Sequence, residues 1–568
     1  MKEQLSSNVQ KRIQDWLDGP FDEETKSEIK RFLKENPKEL SSAFFKDLSF
    51  GTGGMRGIMG IGTNRINVYT IRKATQGLAN YLKKEPPSSD LKVFIGFDVR
   101  HHSKEFAEET AKVLAGNGIG AILSQEICPT PLVSFACRHL QCSAAIMITA
   151  SHNPPEYNGY KVYWSDGAQI VPPHDVGIVE EVNQVKEIHL ASSDSSKIQR
   201  MGKEIDKAYL KELKKLIFRP DVSRKSLTLL YSNLHGTGIR LIGDALKTWG
   251  FSSLLWVEAQ KSPDADFKNA RTPNPEEDEA LELGAKQLLE TKTDLLLATD
   301  PDADRVGVVV RTKEKTIRLT GNQIACLCLH HICISLKKKE EFPPNAGFIK
   351  TIVTTELFKA IASDFGGTSI DVLTGFKYIA EMIRQWENSF NGLQFLFGAE
   401  ESLGYLFGTF VRDKDGISAS CLIAEMAATL KAEKKTLVDG LCDLYRKYGV
   451  YRDALTSLSF SDTPVGMKQT QDLMERLRKN PHTKIGNISV SSSEDFSQGI
   501  LSLPKSDVLR FWLSDGSKLV IRPSGTEPKI KIYGEVFEKP SSDLEKTIAD
   551  CDERLKILLQ TFKTLCSH

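Results

Sequence analysis

Short apolar runs alternate with stretches of helical spacing along most of the chain. Near the start, Ile13, Trp16 and Leu17 share one helical face, and the pattern stops at Asp18-Gly19-Pro20. Ile29, Phe32 and Leu33 repeat it and stop before Pro37. These two short amphipathic helices read as packing or lid elements. From Lys92 onward, strand and helix patterns take turns. Val93 to Phe97 reads as a strand, Lys104 to Leu114 as a helix, Ala121 to Leu123 as a strand, and Leu132 to His139 as a helix. Apolar runs return at Ala144 to Ile148, Leu227 to Tyr231, Leu295 to Thr299, Gly347 to Ile349 and Phe395 to Phe397. That rhythm predicts mixed α/β sheets, in three or four units of about a hundred residues or somewhat more.

Composition narrows the class. A chain of 568 residues is too long for one core. With 40% hydrophobic and 26% charged residues it reads as a globular protein. A net charge of +1 supplies no global field for nucleic acid or a membrane surface, so a bound anion must be held by local groups. The charged start Met1-Lys2-Glu3-Gln4 has no apolar signal core after it, and the ten cysteines show no framework spacing. Both features favour reduced thiols and a cytoplasmic location. The longest apolar stretch, Ile324 to Leu336, is interrupted by His330-His331 and is too short to span a bilayer. Its Cys326, Cys328, His330, His331 and Cys333 match no zinc spacing, and an apolar helix starting near Asn322 accounts for them.

Four loops, and a glycine-rich segment upstream of them, carry candidate chemistry. Thr149-Ala150-Ser151-His152-Asn153-Pro154 follows a buried strand and runs into Pro155 and Asn158-Gly159, which places Ser151 on a tight loop at a strand end. The plain alternative is a surface turn whose serine caps its own backbone. Upstream, Phe50-Gly51-Thr52-Gly53-Gly54-Met55-Arg56-Gly57 lacks the glycine and preceding strand of a dinucleotide fingerprint. It still offers backbone N–H groups and one guanidinium, the parts of a phosphate clamp.

In Asp300-Pro301-Asp302-Ala303-Asp304-Arg305, a strand delivers three carboxylates at alternating positions. Such crowding calls for a cation or protons, and all-oxygen ligation favours a hard ion, Mg²⁺ or Ca²⁺. An EF-hand is excluded by Arg305 and Arg311, and a purely structural acidic turn stands as the alternative. Gly398-Ala399-Glu400-Glu401-Ser402-Leu403-Gly404 offers acceptors for sugar hydroxyls, or merely a charged helix start. Arg522-Pro523-Ser524-Gly525-Thr526 groups an arginine, two hydroxyls and a flexible amide suited to a phosphate.

Four such loops in this order resemble the α-D-phosphohexomutase superfamily of phosphoglucomutases and phosphomannomutases, from Phe50 to Tyr533. The longer form with N-terminal helices is similar to the branch of phosphoglucomutases and phosphopentomutases. The resemblance implies an α/β, four-domain architecture around a central cleft: three related mixed-sheet domains and a C-terminal α+β domain. The expected domains are 1–205, 206–319, 320–450 and 451–568.

It implies that Ser151 is a phosphoserine, and that its phosphate joins Asp300, Asp302 and Asp304 in holding one Mg²⁺. Lys161, ten residues after Ser151, matches the general acid/base, with a turn lysine in solvent as the alternative. Arg56 and Arg305 match contacts of the transferring phosphoryl group, and His152, beside the serine, joins the catalytic set. Lys350, Thr374, Gly375, Lys377, Glu400 and Ser402 match sugar- or phosphate-facing positions. Arg522, Ser524, Gly525 and Thr526 match the phosphate-docking loop.

The implied activity is the interconversion of a sugar 1-phosphate and 6-phosphate, glucose favoured, through a bisphosphorylated sugar that also serves as activator. Phosphomannomutase, phosphopentomutase and sugar-bisphosphate synthase activities are the alternatives within the class. Ala399 and Phe376 depart from the commonest patterns and bear on the sugar. The expected partner is a small phosphosugar and the expected state a monomer or weak dimer. A haloacid dehalogenase-like phosphatase, with Asp302 as nucleophile, ranks second because it gives Ser151 and the Arg522 loop no role. For Lys161 to exchange a proton near neutral pH, burial and neighbouring cations would have to lower it from roughly 10.4.

Overall fold

A computed structural model describes residues 5–50, 53–85, 90–313, 315–461, 464–524 and 529–567. The chain forms two compact units. Unit 1 comprises Met1–Ile217, Arg224–Thr316 and Gly408–Ala424; unit 2 comprises Phe218–Ser223, Ile317–Phe407 and Glu425–His568.

Unit 1 is built on two sheets. In the first, strands β1 (Gly54–Ile58), β2 (Lys92–Phe97), β3 (Gly120–Ser124), β4 (Ala144–Ile148), β5 (Tyr157–Trp164) and β6 (Ile198–Met201) lie in the order β1-β5-β4-β2-β3-β6. The centre is parallel, and β5 runs antiparallel to both β4 and β1. Every residue of β4 is buried, as a central strand covered on both faces requires. Helices Val68–Lys84, Ser103–Gly116 and Thr130–His139 pack around it.

The second sheet contains β7 (Leu229–Ser232), β8 (Leu254–Trp256), β9 (Leu295–Thr299) and β10 (Val306–Arg311), with β7 between β8 and β9. Strands β9 and β10 form a hairpin with Val306 opposite Thr299, so Asp300–Arg305 is its turn. Burial of Leu295–Thr299 fixes the turn at the sheet end and forces its carboxylates to find partners there.

Strand β11 (Thr316–Leu319) carries the chain into unit 2. There β12 (Ala346–Thr351), β13 (Thr368–Val372), β14 (Gln394–Glu400) and β15 (Gly404–Phe407) lie in the order β13-β12-β14-β15. An antiparallel sheet follows, built from β16 (Val450–Ser459), β17 (Lys484–Ile485), β18 (Ile488–Asp495), β19 (Leu509–Leu513), β20 (Lys518–Pro523) and β21 (Lys529–Glu538), in the order β16-β21-β20-β19-β18-β17. Helix Leu544–Ser567 packs on β16 and β21. Three mixed α/β layers and a C-terminal α+β layer match the expected four-domain architecture.

The apolar Cys/His stretch lies in helix Gly321–Lys338, started by a Thr320/Gln323 capping box, with Cys326, Cys328 and Cys333 buried as free thiols. No helix among the described residues is long and apolar enough to cross a membrane.

Several local expectations change. A third N-terminal helix, Pro37–Phe44, starts where Pro37 takes the first helical position, a placement proline tolerates. The Arg56 segment is strand β1. Asn158-Gly159 does not turn but lies within β5, and Lys161 stands on the same strand. Gly398 to Glu400 complete strand β14.

Candidate active site

Ser151 follows β4 with φ of 53°, a left-handed conformation that a serine holds only when its surroundings impose it. The surroundings are Asp98 and Arg100, at the end of β2. Thr149 Oγ1 donates to Asp98 Oδ2 (2.7 Å) and accepts from the Ser151 amide (2.8 Å). The buried Arg100 guanidinium pairs with Asp98 and donates to the carbonyls of Ser151 (2.7 Å), Asn153 (2.5 Å), Pro154 (2.7 Å) and Tyr157 (2.9 Å). One side chain therefore ties together carbonyls along the serine loop and at the start of β5.

The serine hydroxyl donates to Asp300 Oδ2 at 2.8 Å and lies 3.1 Å from His152 Nδ1. The other oxygen of Asp300 accepts from the amides of Asp304 (3.1 Å) and Arg305 (3.0 Å), which locks the hairpin turn. Asp302 Oδ2 accepts from Lys161 Nζ (2.7 Å) and Thr130 Oγ1 (2.8 Å). Asp304 Oδ2 lies 3.3 Å from both Lys161 Nζ and Lys414 Nζ. All three aspartates are buried.

Crowding and burial set the protonation preferences. Burial, then Asp302 and Asp304, push the Asp300 carboxyl well above the usual carboxylate range. Burial also opposes charge on Asp302, but Lys161 and the hydrogen bonds around it hold that carboxyl below the usual range. Burial and the nearby Arg305 and Arg56 keep the His152 imidazole neutral, well below its ordinary value. For Lys161 the direction is upward: burial disfavours the ammonium, but Asp302 and Asp304 outweigh it. The expectation of a lowered lysine is corrected on this point, because the two nearest charges are negative.

The ligand geometry suits a hard cation. One carboxylate oxygen from each of Asp300, Asp302 and Asp304 lies within 4.8 Å of the others. Asp302 Oδ1 and Asp304 Oδ1 are buried without a hydrogen-bond partner. Orphaned carboxylate oxygens are costly in an interior, and an oxygen-seeking divalent ion removes that cost. Asp302 is fully buried and hydrogen-bonded to Lys161 and Thr130.

Two arginines flank the cluster. Arg56 NH1 donates to Asn153 Oδ1 at 2.9 Å, on the serine loop, and Arg305 NH1 donates to Glu276 Oε1 at 2.7 Å. The structure also supplies residues that sequence reasoning missed. Asp413 accepts from Tyr163 OH (3.0 Å) and Gln169 Nε2 (3.0 Å) and holds Lys414 Nζ at 3.1 Å. These arrive from Gly408–Ala424, a later segment that folds back into unit 1. The charged run Arg412-Asp413-Lys414-Asp415, ahead of an apolar helix, was the available signal.

In unit 2, Glu400 ends β14 and accepts from the Gly375 amide at 2.8 Å, so two expected sugar-facing segments are joined directly. Thr374 and Ser402 are half-buried, and Lys377 lies over the ring of Tyr378. Arg522 NH2 donates to Tyr533 OH at 3.2 Å, with Glu401 and Glu400 near enough to favour its charge. Ser524 closes the loop base through its amide to Lys529 O (2.7 Å); Gly525 and Thr526 lie outside the described residues. Lys350 does not fit its expected role. It is fully buried, with Nζ 2.9 Å from Glu356 and 3.1 Å from Asp371, and serves the interior of unit 2.

Family models described as phosphoglucomutase/phosphomannomutase alpha/beta/alpha domains I, II and III match residues 47–189, 207–313 and 320–448, and the C-terminal domain model matches 467–551. Phosphoglucomutase of Staphylococcus haemolyticus is 37% identical over 88% of this chain and 93% of its own length. That of Staphylococcus aureus is 36% identical over 89% and 92%. Among solved structures, the phosphoglucomutase parafusin from Paramecium superposes with a TM-score of 0.69 at 18% identity, covering 90% of this chain and 94% of its own. A phosphoglucomutase/phosphomannomutase family protein from Burkholderia thailandensis gives 0.67 at 19%, covering 89% and 96%. Four consecutive domain models and relatives aligned nearly end to end place the chain in the phosphoglucomutase/phosphomannomutase family.

Proposed function

We propose that this chain is a phosphoglucomutase-type isomerase that interconverts a hexose 1-phosphate and 6-phosphate, with glucose as the preferred sugar. The observation that carries the reading is Ser151 Oγ, held 2.8 Å from Asp300 within a buried carboxylate cluster that also holds Lys161. The name of the Staphylococcus relatives supports glucose.

In the proposed cycle Ser151 carries a phosphoryl group. A sugar hydroxyl oxygen attacks the phosphorus, the P–Oγ bond breaks, and one proton passes in net from the sugar hydroxyl to Ser151 Oγ. The product is a bisphosphorylated sugar. After it turns over, its other phosphoryl returns to Ser151 by the reverse exchange. Lys161 is the proposed proton carrier. Since Asp302 and Asp304 keep it charged, it acts first as donor. Arg56 and Arg305 neutralise the equatorial oxygens as charge spreads over them. Asp300, Asp302 and Asp304 are the residues that would hold Mg²⁺, which when bound supplies further neutralisation of the phosphoryl oxygens. Glu400 and Ser402 read sugar hydroxyls, and Arg522 with Ser524 to Thr526 docks the phosphate that is not being transferred.

A panel of glucose, mannose, N-acetylglucosamine, ribose and deoxyribose 1-phosphates, each with its bisphosphate present, tests the reading. The highest kcat/KM is expected for glucose 1-phosphate. Release of inorganic phosphate without isomerisation would overturn the mutase assignment, and a pentose preference would overturn the sugar.

A further inference from the structure

Residues 7–44 form three helices that lie ahead of the matched domain I segment, which begins at residue 47. They have a core of their own, with Val9, Ile13, Trp16, Ile29, Leu40 and Phe44 buried. Side chains from further along the chain complete it: Ile61 and Tyr69 pack against the same cluster. Tyr69 OH donates to Asp22, the cap of the second helix. The helices are thus fastened to the segment that follows β1.

The fastening is dense. Arg65, nearly buried, donates to Glu39 Oε1 (2.8 Å) and Ser42 Oγ (2.9 Å). The amide of Asn64 donates to Ala43 O (2.9 Å), and Arg12 NH1 donates to Thr63 Oγ1 (3.0 Å). At Gly62, with φ of 119°, any Cβ would sit 2.5 Å from Ala43 O, so only glycine permits this approach. The segment then returns to β1: the Ile66 amide donates to Ile58 O (2.9 Å) and the Gly60 amide to Ile66 O (3.1 Å). Two residues before Ile58 stands Arg56, exposed on the strand, with one hydrogen bond to Asn153 on the serine loop. An exposed arginine is positioned by its strand, and this strand ends in the clasped segment.

We propose that the N-terminal helices are a positioning element for phosphoryl transfer: through the Arg65 clasp on Glu39 and Ser42 they fix the end of β1 and hence the reach of Arg56. The proposal rests on the assignment of Arg56 to the phosphoryl group. A double variant, Glu39→Ala with Ser42→Ala, removes both side-chain acceptors of Arg65 at positions where the fold has room, since the Glu39 side chain is 42% exposed.

With the helices still docked, kcat is expected to fall roughly tenfold while KM stays within about twofold, the pattern of a displaced catalytic group. Amide hydrogen exchange at Gly60 and Ile66 is expected to quicken. In an Arg56→Ala background the same double variant is expected to change kcat less than about twofold. An equal loss in both backgrounds, or an unchanged kcat with unchanged exchange, would overturn the proposal. If the double variant lowers Tm sharply, Arg12→Gln, which releases Thr63 on the same segment, is put through the same cycle and judged by the same outcomes. A wild-type protein without isomerase activity would refute the mutase reading instead, and exchange at Ile66 would still decide whether the clasp holds the strand.

Discussion

At Ser151 the backbone strain, the hydrogen bond to Asp300 and the Arg100 bonds to four carbonyls converge on a single hydroxyl. Lys161→Met removes the ammonium shared by Asp302 and Asp304, and kcat is expected to fall by about a hundredfold or more with little change in KM, measured by coupled assay. Lys414→Met leaves Lys161 as the remaining ammonium on Asp304 Oδ2. Affinity for Mn²⁺, read by electron paramagnetic resonance, is expected to shift, as it does when partners of metal ligands are removed. Unchanged affinity would deny Lys414 a part in shaping the site. The serine and the three aspartates were legible in the sequence because each set lies within a few consecutive residues after a buried strand. Lys414 and Arg100 were not, because their roles exist only once segments far apart in sequence meet.

Among the elements, β4 and β5 decide where Ser151 and Lys161 stand. Gly159 in β5 lies so close to Thr149 O and Met55 O that a Cβ would meet them at 2.5 and 2.7 Å. Gly159→Ala is expected to force β1 and the serine loop away from β5 and to destabilise the fold by about 1–3 kcal/mol, measured by urea denaturation. A neutral effect would mean that the strands have slack. The same glycine shows why part of the local structure was misread. Asn-Gly signals a turn through its own conformational freedom, whereas here the glycine is used for close packing inside a strand. The hairpin β9–β10, by contrast, was half visible: the apolar run of β9 is plain, but nothing in Asp300–Arg305 announces that the chain folds straight back.

On the scale of the whole molecule, unit 2 contains a buried ion cluster. Lys350 and Lys518 both reach Glu356, and Arg510 reaches Asp371 at 2.8 Å. Burial opposes charge on Glu356, but Lys518 and Lys350 hold its carboxyl far below the usual range. A depressed carboxyl contributes stability above its unfolded pKa of roughly 4.3 and loses it as pH falls through the folded value. Acid is therefore expected to destabilise unit 2 progressively below about pH 4.3. At pH 7, Glu356→Gln, which leaves two buried ammonium groups short of a partner, is expected to cost about 3 kcal/mol and to flatten that acid limb, as followed by calorimetry. His330 adds a second slope. Burial, then Lys447 and His331, lower its imidazole to about 4, so the unfolded chain binds the proton first and stability falls from roughly pH 6.5 toward 4. Alternating patterns predicted three or four α/β units, and the family resemblance implied the four-domain arrangement. The return of Gly408–Ala424 to unit 1 was not, because no local pattern records which core a segment joins.

The central claim, that Ser151 carries phosphoryl between two ends of a sugar, is tested most directly by a chase. Protein labelled with ³²P at Ser151 is mixed with unlabelled glucose 6-phosphate in Mg²⁺, and label is followed on protein, sugar and free phosphate. The label is expected to leave the protein into glucose bisphosphate and then hexose monophosphate, with Ser151→Ala taking up none. Label that stays on the protein, or leaves only as inorganic phosphate, would contradict the account.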